Sequence, residues 1–262
     1  MPLILKLWQA VPSSLQLSIV KTVQRNKRIY RWLMFRHADL KDRSNGKGSG
    51  LPPAELRYRV GASPDLEEFI TIGSACANDI QSTLQNVGRD IGSFQHILDF
   101  GCGCGRTLIH MQNLAPHAQF DGADIDVQAI DWCKRNLKFA TFSLTTEIPP
   151  INYAADTFDF IYAISVFTHL DEDYQFRWLE ELRRIAQNGA TIVLTVHGAK
   201  NEKGFFFERS YEEGLFPDWY QNTYHSKDYV FKNFSKYFKV LGHFPNALHG
   251  HQDVVVLEKA NY

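Results

Sequence analysis

The chain has 262 residues, 44% of them hydrophobic and 22% charged, with a formal net charge of −1. This is enough for one sizeable core and an accessory segment, and it excludes a globally basic nucleic-acid binder. Four cysteines in a chain of this length exclude a disulfide scaffold, and no 18-residue apolar run offers a membrane span. With no signal peptide read at the start, a reducing cytoplasm is the expected setting.

The charge is uneven. The first fifty residues hold ten Lys/Arg against two acids, Asp39 and Asp42, a local +8 that leaves −9 for the rest. Leu3, Leu5, Trp8, Ile29, Trp32, Leu33 and Phe35 are interleaved with the basic side chains. Two readings follow for residues 1–44: a helix packed on the main domain with a solvated basic face, or an amphipathic segment that docks peripherally on a membrane or a protein. Asn45-Gly46-Lys47-Gly48-Ser49-Gly50 reads as a flexible linker. A helix is then expected from Ser63-Pro64-Asp65, a capping residue, a first-turn proline and an acid at the positive end of the dipole. Leu66, Phe69, Ile70, Gly73, Ala77, Ile80, Leu84 and Val87 recur along it at helical spacing, and Gly88 closes it.

An alternation begins after this helix. The pattern predicts strand 96–100, helix 105–114, strand 118–123, helix 127–139 and strand 140–145. It continues with strand 158–164, helix 172–187, strand 190–196, helix 226–237 and strands 238–244 and 252–258. Such alternation predicts an α/β, doubly wound, mostly parallel seven-stranded sheet. The last two strands are too close for a helical crossover, so an antiparallel final strand is expected. Ligands of open α/β sheets bind at the carboxyl ends of the strands. Asp99 to Gly105, Asp124, Ser165 to His169, His197 and the segment 243–251 all fall there.

The most informative stretch is Ile97-Leu98-Asp99-Phe100-Gly101-Cys102-Gly103-Cys104-Gly105-Arg106. An apolar strand ends in glycines that let a ligand lie against the backbone, and the next helix offers unpaired N–H groups. Asp99 at the mouth of this turn favours a cationic or hydroxylated ligand over a pyrophosphate. The dinucleotide fingerprint differs, because Gly105 comes one place early and Arg106 stands where the third glycine belongs. A second strand ends at Asp124, about 20 residues on, as expected of a carboxylate that takes ribose hydroxyls, while Asp126 reads as a helix cap. Together these residues point to a nucleoside carrying an amino-acid tail, for which S-adenosylmethionine is the natural candidate.

On these motifs the chain resembles the class I S-adenosylmethionine-dependent methyltransferases. ILDFGCGCGR is similar to that family's first motif, GADID to its second, and the run Asp156 to Leu170 to its fourth-strand motif. The resemblance covers about residues 90–260. It implies a Rossmann-like fold, S-adenosylmethionine as cofactor with S-adenosylhomocysteine as product, and contacts from Asp99, Gly101, Cys102, Gly103, Gly105, Arg106, Asp124, Ile125, Ser165 and His169. It divides the chain into a basic helical arm with linker over 1–50 and a methyltransferase domain over 51–262. Within that domain lie a cofactor half over 90–170 and an acceptor-side insertion over 198–225. In related enzymes an N-terminal extension covers the cofactor, and many relatives carry an acid after the third strand for the adenine amino group, a role that falls here to Glu147 or to backbone groups.

Methyl transfer requires positioning, desolvation and, for a hydroxyl acceptor, removal of a proton. The candidate bases are His249, His251 and His197, with His169 set beside the cofactor. His249-x-His251 with Asp253 only superficially resembles a metal set, and no metal is expected. The insertion is rich in aromatic residues, and Trp219 and Tyr220, near Glu212 and Glu213, are expected to border the acceptor. The reading is transfer of a methyl group to oxygen of a small molecule or glycan, with no nucleic-acid partner. The alternatives are N-methylation of a small amine, or a methyltransferase-like module that docks through its arm.

Overall fold

The computed structural model describes residue 12 and residues 26–199, 204–209 and 221–260. Helices α1 (Lys27–Ser44), α2 (Ala54–Gly61) and α3 (Leu66–Asn86) precede the sheet. Then come β1 (His96–Phe100), α4 (Leu108–Leu114), β2 (Gln119–Asp124), α5 (Val127–Asn136), β3 (Ala140–Leu144) and β4 (Phe158–Ala163). The second half holds α6 (Glu172–Ile185), β5 (Ala186–Gly198), β6 (Phe205–Arg209), β7 (Gln221–His225), α7 (Lys227–Phe234), β8 (Lys239–Leu248) and β9 (Gln252–Glu258).

The main sheet runs β3-β2-β1-β4-β5, all parallel, and continues through β9, antiparallel to both β5 and β8. This is the doubly wound sheet with an antiparallel last strand that the alternation predicted. Two strands were not anticipated. β6 and β7 form an antiparallel hairpin inside the insertion, and β7 joins β5 in parallel through His197 and Gly198, just beyond the point where β9 leaves it. The element is coded by pairing with the end of β5 rather than by its own period.

Alternation along each strand splits the core into two layers. Leu98, Phe100, Ile161, Ile192, Leu194, Val255 and Leu257 face Trp178, Leu182 and Phe234 of α6 and α7. Ile97, Phe160, Tyr162, Val193, Val254 and Val256 face Ile80, Leu84, Leu108, Met111, Ile130 and Cys133 of α3, α4 and α5. A central parallel strand covered on both sides reads as continuously apolar for this reason. Asp99 therefore projects on the α3–α5 side, where it is register partner of Tyr162 on β4 and of Gly122 on β2.

The N-terminal helices are bound to this frame by charge. Arg57 is 2% exposed; it donates to Pro64 O at 2.9 Å, to Pro52 O at 2.9 Å and to Asp42 Oδ2 at 2.6 Å. Asp39, one turn earlier on the same face of α1, accepts from Ala54 N at 2.8 Å and so caps α2, whose N-cap Pro53 has no side-chain cap of its own. The two acids of the basic arm are thus both turned inward. In α3 the cap is Asp65, which accepts from Glu68 N at 3.0 Å, while Ser63 bonds the Glu68 carboxylate.

Candidate functional site

The glycine turn follows β1 and sits beside the point where the strand order reverses between β1 and β4, the place where such sheets take ligands. Helix α4 begins at Leu108 rather than at 105, because residues 101–107 are spent on turns. Gly101, Gly103 and Gly105 all have positive φ (83°, 52° and 79°), where a side chain is strained. Space is equally restrictive. A Cβ at Gly101 would meet Val166 Cγ2 at 2.2 Å, and one at Gly103 would meet Val60 Cγ1 at 2.4 Å.

Helix α2 lies across this turn. Val60 stands on Gly103, Leu56 O accepts from Cys104 Sγ at 3.5 Å, and Arg59 donates to both carboxylate oxygens of Asp126 at 3.1 and 2.9 Å. Asp126 also caps α5 through Gln128 N and Ala129 N, the role read for it from the sequence. Arg106 lies beneath this cover, since a Cβ at Gly61 would fall 2.9 Å from its guanidinium and one at Gly73 would fall 2.2 Å from its carbonyl oxygen.

Two carboxyl groups flank the turn. Asp99 is 3% exposed, and burial lifts its carboxyl to about 8; the Tyr162 hydroxyl opposes that rise, Asp124 adds to it and Arg106 opposes it. The Tyr162 hydroxyl is itself buried without a well-formed hydrogen bond. A cation placed beside this carboxyl would favour its ionised form. Asp124 accepts from Gly103 N at 2.6 Å and from Asp126 N at 2.8 Å, and burial raises its carboxyl above the ordinary range against those backbone bonds. Ile125 beside it is exposed and offers an apolar face. Cys102 and Cys133 both point at Gly103 O, and burial pushes the Cys104 thiol to about 12, so these thiols fill gaps in the turn rather than supply a nucleophile.

The other predicted residues lie at the ends of β4, β5 and β9. Ser165 is left-handed (φ 58°), held by Thr195 Oγ1, which accepts from its N–H at 2.8 Å, and by Gln252 Nε2, which donates to its Oγ at 2.9 Å. Strain at a non-glycine residue persists only when its surroundings overdetermine it; neither Thr195 nor Gln252 was singled out from the sequence, since they come from two distant strands. Val166, next in the chain, is the side chain that covers Gly101.

His169 Nδ1 lies 2.8 Å from Gln221 O. A carbonyl only accepts, so Nδ1 carries the proton and the lone pair is on Nε2. Burial lowers its pKa to about 4. Its ring centroid is 6.4 Å from that of His197, which is tilted against Tyr224 at 5.3 Å. His197 is also held below the ordinary histidine range by burial and by the charge of His251, with Asp253 opposing. His169, His197 and His251 thus gather beyond β5. His249 joins this group through His251, their ring centroids 5.9 Å apart; it sits exposed at φ 49° on the turn after β8, and its backbone N–H donates to Asp79 of α3. Strand β8 extends to Leu248, past the predicted end at 244, so residues 245–248 are strand and the loop shrinks to 249–251. Asp253 turns away from it toward His243 Nε2 at 2.9 Å and Asn246 N at 2.9 Å. Among the described residues no three His, Cys, Asp or Glu side chains form a metal-binding group. Glu147 is exposed, and its backbone carbonyl accepts from Trp178. Trp219, Tyr220, Glu212 and Glu213 lie outside the described residues.

Buried His225 anchors the insertion. Its Nε2 donates to Gln175 Oε1 at 2.8 Å, the Gln175 amide being committed as a donor to Phe167 O and Leu170 O. Burial pushes its pKa down to about 3. Below about pH 6.5 the unfolded chain takes up protons at His225 and His169 that the folded chain refuses until about 3 and about 4. Stability is therefore lost as pH falls from about 6.5, by at most about 1.4 kcal/mol per unit for each group. Asp99 acts oppositely, since it stays protonated in the fold up to about 8 while the unfolded carboxyl ionises near 4, so stability falls as pH rises between those values. Thermal midpoints of the ligand-free protein should fall on acidification from pH 6.5 to 5, and the fall should be shallower in His225→Asn. Equal slopes in the two proteins would contradict this account.

A strand, a glycine turn and two buried carboxyl groups at a switch point define an α/β protein that binds a nucleoside-type cofactor. Residues 98–192 match the family model described as a methyltransferase domain. In fold the chain is similar to an S-adenosylmethionine-dependent methyltransferase from Methanosarcina mazei, with a TM-score of 0.53 and 19% identity over 69% of this chain and 98% of that one. It is also similar to 1,6-didemethyltoxoflavin-N1-methyltransferase from Burkholderia thailandensis, solved with S-adenosylhomocysteine and 1,6-didemethyltoxoflavin bound (TM-score 0.54, 13% identity, 72% of this chain and 79% of that one). A third similar structure is human N-acetylserotonin methyltransferase in complex with S-adenosylmethionine (TM-score 0.51, 13% identity, 72% of this chain and 52% of that one). Residues 98–192 thus carry a methyltransferase domain, and the chain shares its fold with S-adenosylmethionine-dependent methyltransferases.

Proposed function

We propose that this protein transfers a methyl group to a hydroxyl oxygen of a small molecule or glycan. The observation that carries the oxygen assignment is the pair His169 and His197, two histidines held neutral at neutral pH beyond β5. A neutral imidazole beside the acceptor removes a hydroxyl proton, whereas an amine acceptor needs no such base.

S-adenosylmethionine, when bound, supplies a methyl carbon on a positively charged sulfur. Asp99 fits as the partner of its α-ammonium group, Asp124 as the acceptor for ribose hydroxyls and Ile125 as an apolar face for the base. Gly101, Cys102, Gly103 and Gly105 bring the backbone close, and Arg106 and α2 brace that turn from outside. Ser165 shapes the exit of β4 and leads to His169. With the acceptor hydroxyl held beside the methyl carbon, His197 would take the hydroxyl proton as the oxygen is methylated. Trp219 and Tyr220 remain proposed as the acceptor's aromatic border.

Titration with S-adenosylhomocysteine at pH 7 in buffers of different ionisation enthalpy tests the cofactor half. Asp99 must lose its proton to pair with an ammonium ion, so up to about one proton should be released per site, and the apparent enthalpy should change with the buffer. Tight binding with no buffer dependence would remove Asp99 from that role. Assay against phenols, sugars and amines tests the acceptor half: methylation of amines alone would replace O-methylation by the N-methylation reading.

A further inference from the structure

Helix α1 uses only one of its faces in the fold. Asp39, Asp42 and Phe35 point inward, the first two to α2 as described and Phe35 to the Tyr58 ring at 5.3 Å. The outward face carries Ile29, Leu33 and Leu40, which are 46%, 43% and 57% exposed, and Trp32, seven residues before Asp39, stands 55% exposed at its edge. Ile29, Leu33 and Leu40, spaced by four and seven residues, fall on one narrow stripe of a helix. Arg36 and Arg43 flank the stripe on the side of Trp32, Lys41 lies on the other, and the Arg36 guanidinium stands 5.2 Å from the Trp32 ring centroid. Lys41 lies 3.9 Å from the Asp65 carboxylate, while both acids of α1 are engaged inward and leave Arg36 and Arg43 as the cationic edge beside Trp32. The preceding sequence extends the pattern: residues 1–25 contain Lys6, Lys21 and Arg25, with Leu3, Ile4, Leu5, Leu7 and Trp8, and no Asp or Glu.

We propose that the outward face of α1 docks this chain on an anionic lipid surface. An apolar stripe with Trp and Leu and cationic edges is the pattern of a helix lying in the plane of a membrane interface, and juxtaposed Lys/Arg are drawn to anionic headgroups. Charge complementarity selects the occupant. A stable protein interface engages about 20–30 residues a side, far more than this stripe presents, whereas a lipid surface needs only the stripe and its charges. Among the described residues no helix is long and apolar enough to cross a membrane.

The test is co-sedimentation of the full chain with vesicles of phosphatidylcholine alone and of phosphatidylcholine mixed with phosphatidylglycerol, at low and high salt. Binding is expected to the anionic vesicles only and to weaken with salt. The double variant Leu33→Glu, Leu40→Glu changes two exposed positions outside the site. It should bind anionic vesicles about tenfold more weakly or worse, with unchanged affinity for S-adenosylhomocysteine as the check that it folds. Wild-type protein that ignores anionic vesicles would overturn the proposal, as would a double variant that binds them like wild type. If instead the wild type self-associates, ignores vesicles, and becomes monomeric in the double variant, a second copy covers the stripe and the lipid proposal fails.

Discussion

His197→Ala is expected to slow methyl transfer to a hydroxyl acceptor by about 10²–10⁴-fold, the usual contribution of a positioned general base, with S-adenosylhomocysteine affinity unchanged. His197 closes β5 where three segments meet: the exit of β4 through His169, the insertion through Tyr224, and the β8–β9 turn through His251. It is half-buried, and burial together with His251 keeps it neutral below the ordinary histidine range. In wild type, kcat should therefore stay flat at neutral pH and fall only when acid protonates this ring, and that limb should vanish in the variant. Full turnover in His197→Ala would move the base to His169 or His251, and His251→Ala, which alters an exposed turn, separates those two. Loss of cofactor affinity in His197→Ala would mark the residue as structural.

The second large effect is expected at Asp124. Its carboxylate is the acceptor for two backbone N–H groups, Gly103 inside the glycine turn and Asp126 at the start of α5. Asp124→Ala leaves both donors without that acceptor and removes the charged partner proposed for the ribose hydroxyls. A charged hydrogen bond contributes about 1.5–3 kcal/mol, so S-adenosylhomocysteine should bind roughly 10- to 150-fold more weakly by calorimetry. Asp124→Asn, which keeps one acceptor oxygen, should fall between. Unchanged affinity in the alanine variant would refute the ribose assignment, whatever its effect on thermal stability.

Several features were legible from residues alone because their causes are local. The strands β1, β4 and β9 are buried on both faces, and that burial writes continuous apolar runs into the sequence. Asp126 caps α5 through bonds to residues two and three places on, which is why its role could be read directly. The glycine turn is equally local: every second residue from 101 to 105 has positive φ, a conformation that favours glycine. Asp99 and Asp124 could be placed because each ends a strand next to a turn.

What the sequence by itself determined, then, is the alternating sheet, the glycine turn and the two carboxylates at its mouth, all governed by periods and contacts within a few residues. The tertiary structure alone decided the rest. The left-handed Ser165 depends on Thr195 and Gln252 from two other strands. The insertion became a hairpin because the end of β5 offered unpaired backbone once β9 had left it. The inward turn of Asp39 and Asp42 depends on Arg57, and the meeting of His169, His197 and His251 depends on three strand ends. Such arrangements rest on partners far apart in the chain, and no local pattern encodes a partner that only folding brings near.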